Sequence, residues 1–253
     1  RLGGDEFVLV LTGLQPGDEV PVLDKILTVL SEPYALERFG VAANLSASIG
    51  LTLYPDDTAD ADALLRHADQ AMYAAKQSGR NRYQLFDTEQ DSRARSLREA
   101  IVNARAALEQ EQFRLYYQPK VNLCSGLIVG FEALIRWQHP EQGILAPAAF
   151  LVDLEETDLI VDIGDWVMET ALAQLEAWQA LGWDYPVSIN IAARHLQQPD
   201  FLPRLQRALE RHPAVPPRLL ELEILETAAL ENVGQVSLVI AACQRLGVGF
   251  ALD

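Results

Sequence analysis

The chain has 253 residues, 49% hydrophobic and 22% charged, the composition of an ordinary globular protein with room for about two domains. With 36 acidic against 20 basic residues its formal net charge is −16, a field that repels nucleic-acid phosphates and anionic membrane and argues against nonspecific binding to either. An anionic small molecule is compatible with such a surface only where cations or a local basic group offset the field.

The first segment, to about Phe86, alternates strand and helix signals. "EFVLVL" (6–11) is a strand run, and "EVPVLDKILTVLSEP" (19–33) spaces Val22, Ile26 and Leu30 along one helical face before Pro33 closes it. "NLSASIGLTLYP" (44–55) interleaves Ser, Ala and Thr with apolar residues as a strand does. "DADALLRHADQAMYAAKQSG" (60–79) predicts a helix with Leu64, Ala68, Met72 and Ala75 on one face and Gly79 as its C-terminal cap, and "RYQLF" (82–86) a short last strand. Residues 87–112 are charged, with Leu97, Ile101, Ala104 and Leu108 forming a single apolar stripe. That pattern fits a connector packed on a neighbour and equally a signalling helix that sets domain geometry.

From about Phe113 strand runs alternate with helices: "FRLYYQPKV", "IVGFEALIRW", a helical stretch 147–181, "VSINIA", a helix near 200–211, "LLELEIL", a helix near 235–246, then "VGFALD". Repeated strand–helix units predict a parallel sheet with helical crossovers, and several in series predict a (β/α) barrel. The fold class expected is therefore α/β, ending in an incomplete (β/α) TIM-type barrel. Both termini break into strand patterns and are expected to be cuts through folded domains, which would leave the 253-residue chain poorly stable and inactive by itself. No apolar run approaches the ~18 residues of a membrane span and no signal peptide opens the sequence, so this stretch is expected in the cytoplasm, with an anchor elsewhere in a longer parent left open. Cys124 and Cys243, without metal-ligand spacing, read as small buried apolar residues. His67, His139, His195 and His212 have no ligand or triad spacing and are assigned no role, and Trp137, Trp166, Trp178 and Trp183 read as packing residues.

Glu132 interrupts the apolar run "GFEALIRW". Asn190 does the same in "VSINIA", Glu223 in "LLELEIL" and Asp253 in "VGFALD". A carboxylate in a core is costly unless compensated. Four such residues, each from a different β/α unit, point to convergence at the C-terminal mouth of a barrel, where the active site of such folds is built. Carboxylate and amide oxygens are hard ligands that suit Mg²⁺ or Mn²⁺, and a pair of such ions suits phosphoester hydrolysis. The competing reading is four separately satisfied strand residues. Arg136 follows Glu132 by four residues and so shares its side of the strand, where it contacts a phosphate or forms an ion pair within the barrel.

These stretches resemble the EAL family of cyclic di-GMP phosphodiesterases, in which "YYQPKVNL", "GFEALIRW", "VSINIAARHL", "LELEILE" and "GFALD" occur in this order over about 113–253. The first segment resembles the C-terminal half of a GGDEF diguanylate cyclase domain, through "RLGGDEF", "SASIGLTLYP" and "ADQAMYAAKQSGRNRYQLF". The resemblance divides the chain into partial GGDEF domain (1–87), connecting helix (88–112) and N-terminal part of an EAL domain (113–253). It implies that Glu132, Asn190, Glu223 and Asp253 hold the metals, that Gln118 and Arg136 contact the dinucleotide, and that Glu226 steadies a loop beside them. The implied reaction is hydrolysis of cyclic di-GMP to pGpG. Ala192 departs from the serine frequent in the family. On the GGDEF side it implies that Asp5 binds catalytic Mg²⁺, that Glu6 belongs to the same acidic turn, that Gly3 and Gly4 let that turn approach a triphosphate, and that Lys76 and Arg80 contact the phosphates of GTP. By composition alone Lys76 and Arg80 are a solvated helix end. A homodimer through either domain and an upstream sensory segment in the parent complete the implied picture, with no nucleic-acid polymer as partner. A catalytically silent module that binds cyclic di-GMP or GTP remains the alternative.

Overall fold

A computed structural model describes residues 1–15, 17–36, 40–224 and 233–252, with side chains left out at 233, 235 and 236. The chain divides into two compact units, Arg1–Arg93 and Ala94–Asp253. No described helix is long and apolar enough to cross a membrane.

In the first unit, α1 (Glu19–Ser31) leads into a hairpin of β1 (Tyr34–Leu36) and β2 (Val41–Ala43). β3 (Ile49–Leu51) then pairs in parallel with β4 (Tyr83–Leu85), and α2 (Ala61–Gln77) is the crossover between them. α2 forms where the sequence places it. Asp60 caps its N-terminus by accepting the Ala63 N–H at 2.8 Å, and the alanine-rich interior carries high helix propensity. At its far end the backbone turns left-handed at Gly79, with φ of 113°. Gly50 sits where β3 crosses α2, so close that a Cβ there would meet Ala68 O at 1.8 Å and Met72 N at 2.3 Å. The apolar core of this unit is thin: Leu23, Ala71 and Ala75 are its buried apolar residues among those described. Asp57 is also buried, bonded to the Thr52 hydroxyl at 2.7 Å and to His67 Nδ1 at 2.6 Å, and the His67 ring stacks on Phe86 at 4.1 Å.

Two strand expectations need correction here. The run 6–11 pairs with no described strand, and Phe7, Leu9 and Val10 are exposed; apolar composition makes a strand only when a ladder partner lies alongside. Of 44–55, only Ile49–Leu51 joins a sheet, because β4 offers three residues to pair with.

The second unit opens with α3 (Thr88–Glu109), which begins before the unit boundary and buries Ala104 and Ala107. β5 (Phe113–Val121) and β6 (Ile128–His139) follow, then a short β7 (Gly143–Leu145) beside β6. α4 (Leu159–Ala180), β8 (Val187–Asn190), α5 (Ala193–Leu196), α6 (Phe201–Arg211), β9 (Leu220–Ile224), α7 (Val233–Arg245) and β10 (Gly249–Leu252) complete the chain. The sheet runs β10-β9-β8-β6-β5, parallel from β6 to β10. β5 departs from the expected all-parallel sheet. It runs antiparallel to β6, because residues 122–127 form a tight connection with Asn122 N–H bonded to Leu127 O, too short for a helical crossover. The helical stretch expected over 147–181 begins as two single 3₁₀ turns, Pro147–Ala149 and Val152–Leu154, before α4 starts.

The two faces of this sheet differ. Phe113, Ala133, Ile135, Trp137, Val187, Ile189, Leu220, Leu222 and Ile224 are buried with Leu159, Ile163, Met168, Leu172 and Leu175 of α4 and with Phe201 and Leu205 of α6 in one apolar cluster. Each large side chain removed from water there contributes about 1.5–3 kcal/mol. Trp137 is in this core as expected, its indole N–H donating to Gln112 Oε1 at 2.9 Å, whereas Trp183 is half exposed. Cys243 is buried as expected and Cys124 is exposed, lying in the β5–β6 connection. Successive residues of a strand point to opposite sides, so Glu132, Arg136, Ser188, Asn190, Glu221 and Glu223 share the other face, with Leu134 among them.

Candidate active site

The polar face is set by register. Gln118 of β5 lies opposite Glu132 of β6, Glu132 opposite Ser188 of β8, and Ser188 opposite Glu221 of β9; one step on, Asn190 lies opposite Glu223. Lys120 belongs to the same side of β5, two residues beyond Gln118. A polar stripe therefore crosses the strands side by side.

Asn190 Nδ2 donates to Glu132 Oε1 at 2.9 Å, which joins two of the sequence-predicted ligands directly. Glu223, 9% exposed, takes its bond from elsewhere: Lys120 Nζ lies 2.5 Å from its Oε1. The same ammonium reaches Glu221 Oε1 at 3.2 Å and donates to the Ser188 hydroxyl, which in turn donates to Glu221 Oε1 at 2.7 Å. Burial alone would lower the Lys120 pKa, but the bonds to Glu223 and Glu221 outweigh it and raise it. Burial would raise the Glu221 carboxyl, and the bonds from Ser188 and Lys120 hold it below its ordinary value. Lys120, Ser188 and Glu221 adjoin the predicted ligands without standing out in the sequence. The period-two argument that put Arg136 on the side of Glu132 finds all three, since each stands two residues from a residue already singled out.

Arg136 is half-buried, donates to Ile135 O at 2.9 Å and lies 5.9 Å from the centre of the Tyr116 ring; no carboxylate pairs with it among the described residues. Gln118 is exposed. Asp253 and Glu226 lie outside the described residues. Among the described residues no three His, Cys, Asp or Glu side chains stand close enough to hold a metal. The chemistry of the donor set still fits a hard divalent cation. Glu132, Asn190 and Glu223 present two carboxylates and an amide on adjoining strands of one face, and the Asn190 amide turns its nitrogen to Glu132, leaving its oxygen for another partner.

On the first unit, Gly3, Gly4, Asp5 and Glu6 form a tight exposed turn closed by Glu6 N–H to Gly3 O at 2.9 Å, with Gly4 at φ 55° and Arg1 bonded to Gly4 O. Lys76 and Arg80 are exposed at the C-terminal end of α2, Arg80 itself at φ 58°. The described bonds of the turn stay within residues 1–6.

The histidines, left without a role by their spacing, are structural partners. His195, fully buried, meets Asp165 Oδ1 at 3.0 Å, and Arg204 meets Asp165 Oδ2 at 2.5 Å. Gly164 makes room for that ring: a Cβ there would come within 2.2 Å of His195 Nδ1. His212 bridges Glu176 at 2.8 Å and Glu169 at 3.1 Å, and Arg211 meets the second carboxylate at 2.6 Å.

A sheet carrying apolar helices on one face and an acid–amide–lysine stripe on the other defines an α/β domain of the barrel type, joined here to a second α/β unit. The chain belongs to the EAL domain family: residues 99–253 match its family model, and residues 1–82 match that of the diguanylate cyclase GGDEF domain. Over its whole length the chain is 37% identical to the bifunctional diguanylate cyclase/cyclic di-GMP phosphodiesterase MucR of Pseudomonas aeruginosa and 34% identical to the cyclic di-GMP phosphodiesterase PdeR of Escherichia coli, spanning 37% and 38% of those proteins. A solved structure titled PaMucR phosphodiesterase, c-di-GMP complex, superposes with a TM-score of 0.59 at 35% identity over 61% of this chain and 63% of that one. The fold is thus mixed α/β, a GGDEF-type unit followed by a unit of the EAL class, whose solved members are barrel-like.

Proposed function

We propose that the protein to which this chain belongs is a cyclic di-GMP phosphodiesterase, acting through the polar face of β5, β6, β8 and β9. The single observation that carries this reading is the meeting of Glu132 and Asn190 across two strands, with Glu223 in register beside Asn190, on a chain whose relatives are named for that activity. In this reading Glu132, Asn190, Glu223 and Asp253 hold Mg²⁺ or Mn²⁺, Gln118 and Arg136 contact the dinucleotide, and Glu226 steadies the adjoining loop. Divalent ions held there would supply charge compensation and lower the pKa of a water. Hydrolysis to linear pGpG would add the water oxygen to one phosphorus, break the P–O3′ bond and leave the water's proton on the departing 3′ oxygen. Arg136 is free of carboxylate partners among the described residues and turned to that face by strand alternation, which suits a phosphate contact.

The GGDEF unit, in the same proposal, binds GTP through the Gly3–Glu6 turn with Asp5 as a Mg²⁺ ligand, Glu6 beside it, and Lys76 and Arg80 at the phosphates. It makes cyclic di-GMP where two copies face each other in a homodimer, under control of an upstream sensory segment. Turnover-free binding of cyclic di-GMP is the second reading, favoured by one contact: the Lys120 ammonium is itself a cationic partner of Glu223.

Replacing Glu132 with Ala in the intact protein tests the choice. Mg²⁺-dependent release of pGpG, followed by chromatography, is expected to fall by at least a hundredfold. Undiminished turnover in the variant rules out the role given to Glu132; absence of turnover in the wild type together with retained dinucleotide binding favours the second reading.

A further inference from the structure

Lys120 has a position that neither a metal site nor an ordinary ion pair requires. It leaves β5 and reaches across the sheet to side chains 68, 101 and 103 residues away in sequence, touching Ser188, Glu221 and Glu223 with one ammonium group. Two of these, Ser188 and Glu223, are buried, and Lys120 is 36% exposed at its side chain. An uncompensated Glu223 in that setting would be costly. The Lys120 ammonium offsets that cost. It also has a second seat: Glu221, with the Ser188 hydroxyl already bonded to it, can receive the ammonium when Glu223 turns to another cation.

We propose that Lys120 is a positioning residue that acts as a resident counter-cation. It holds the Glu223 carboxylate in place while the site is metal-free and yields it to a divalent ion by shifting onto Glu221 and Ser188. This rests on the reading of Glu223 as a metal ligand. The lysine steadies the empty site and at the same time weakens the filled one, because its charge stays within a few ångströms of the incoming cation; after solvent screening that repulsion amounts to about tenfold in affinity. Glu221 has the opposite influence, since it draws the ammonium away.

The experiment uses the intact protein, with Mn²⁺ as the probe in the absence of nucleotide. Calorimetric titration gives the Mn²⁺ dissociation constant, and thermal unfolding in EDTA gives the stability of the metal-free state. Lys120→Met is expected to bind Mn²⁺ about tenfold more tightly than wild type and to unfold at lower temperature in EDTA. Glu221→Gln, which strips Lys120 of its second seat, is expected to bind Mn²⁺ several-fold more weakly. The opposite signs separate this role from a merely structural one, in which both variants would weaken binding. If Lys120→Met does not fold, Lys120→Gln, which keeps a hydrogen bond to Glu223 without the charge, is expected to show the same tightening. Mn²⁺ affinity unchanged or weakened in the folded lysine variant overturns the inference while leaving the metal site standing. A wild type that binds no Mn²⁺ overturns the metal site and the inference together.

Discussion

His212 illustrates how a residue with no legible motif acquires a measurable role. It lies between Glu176 and Glu169, and although its burial would lower its pKa, those two carboxylates outweigh this and raise it above the ordinary 6.5. A folded-state pKa above the unfolded value means that the protonated, paired form stabilises the fold. That contribution is complete below pH 6.5 and is lost as pH rises through the higher folded value. In urea titrations at pH 5.5 and pH 8.5, wild type minus His212→Asn is expected to give a positive stability difference at the lower pH that shrinks toward zero at the higher. A difference independent of pH would mean that the ring acts by packing alone. Asp57 works in the other direction. Burial would raise it, but His67, Thr52 and the Ala59 N–H hold it below its ordinary 3.8, so its contribution is present above that value and fades as acid titrates it. At this scale the sequence announces only what is anomalous in place. Glu132, Asn190 and Glu223 stand out because a polar group in an apolar strand demands a partner. Lys120 in "YYQPKV" and Glu221 in "LELE" look like solvated strand residues until register brings them together.

Elements were legible where one signal sufficed. α2 carries its cap, its apolar face and its glycine stop within twenty residues of sequence, and it forms where those signals lie. β3 depends on something the sequence shows only as a lone glycine in "SASIGLT". Gly50 is there because α2 passes directly over the strand, and Gly50→Ala would drive a methyl group into Ala68 O and Met72 N, which are backbone atoms that cannot rotate away. The expected cost is about 3 kcal/mol or more, enough to separate the β3–β4 pair from its helix in a unit whose buried apolar core is small. Amide exchange at Ile49–Leu51 and Tyr83–Leu85 checks it: these positions should lose protection in the variant while α4 and β8 keep theirs. The misread elements share a different cause. Phe7–Leu11 has strand composition with no described partner, and β5 has strand composition with a partner whose direction depends on the length of residues 122–127. Pairing is a property of two segments, and single-segment periodicity does not contain it.

For the molecule as a whole, composition gave the class: a two-unit α/β chain with an acidic surface follows from length, alternating strand and helix signals and a formal charge of −16. Charge also makes a prediction that no single residue makes. In the proposed function the ligand, cyclic di-GMP, carries one negative charge on each of its two phosphodiesters, so its approach to a chain this acidic is opposed at long range, while Arg136, with which no described carboxylate pairs, attracts it only near the polar face. The Debye length falls from about 30 Å at 0.01 M salt to about 8 Å at 0.15 M, a distance that removes the global field but leaves contacts inside the site. Association of a fluorescent cyclic di-GMP analogue, measured by stopped flow at fixed Mg²⁺, should therefore quicken on the order of 2–5-fold as NaCl rises over that range. The dissociation rate, set by contacts within the site, should change little over the same range. A rate that falls with salt would mean that local attraction at Arg136, and not the net charge, governs the approach.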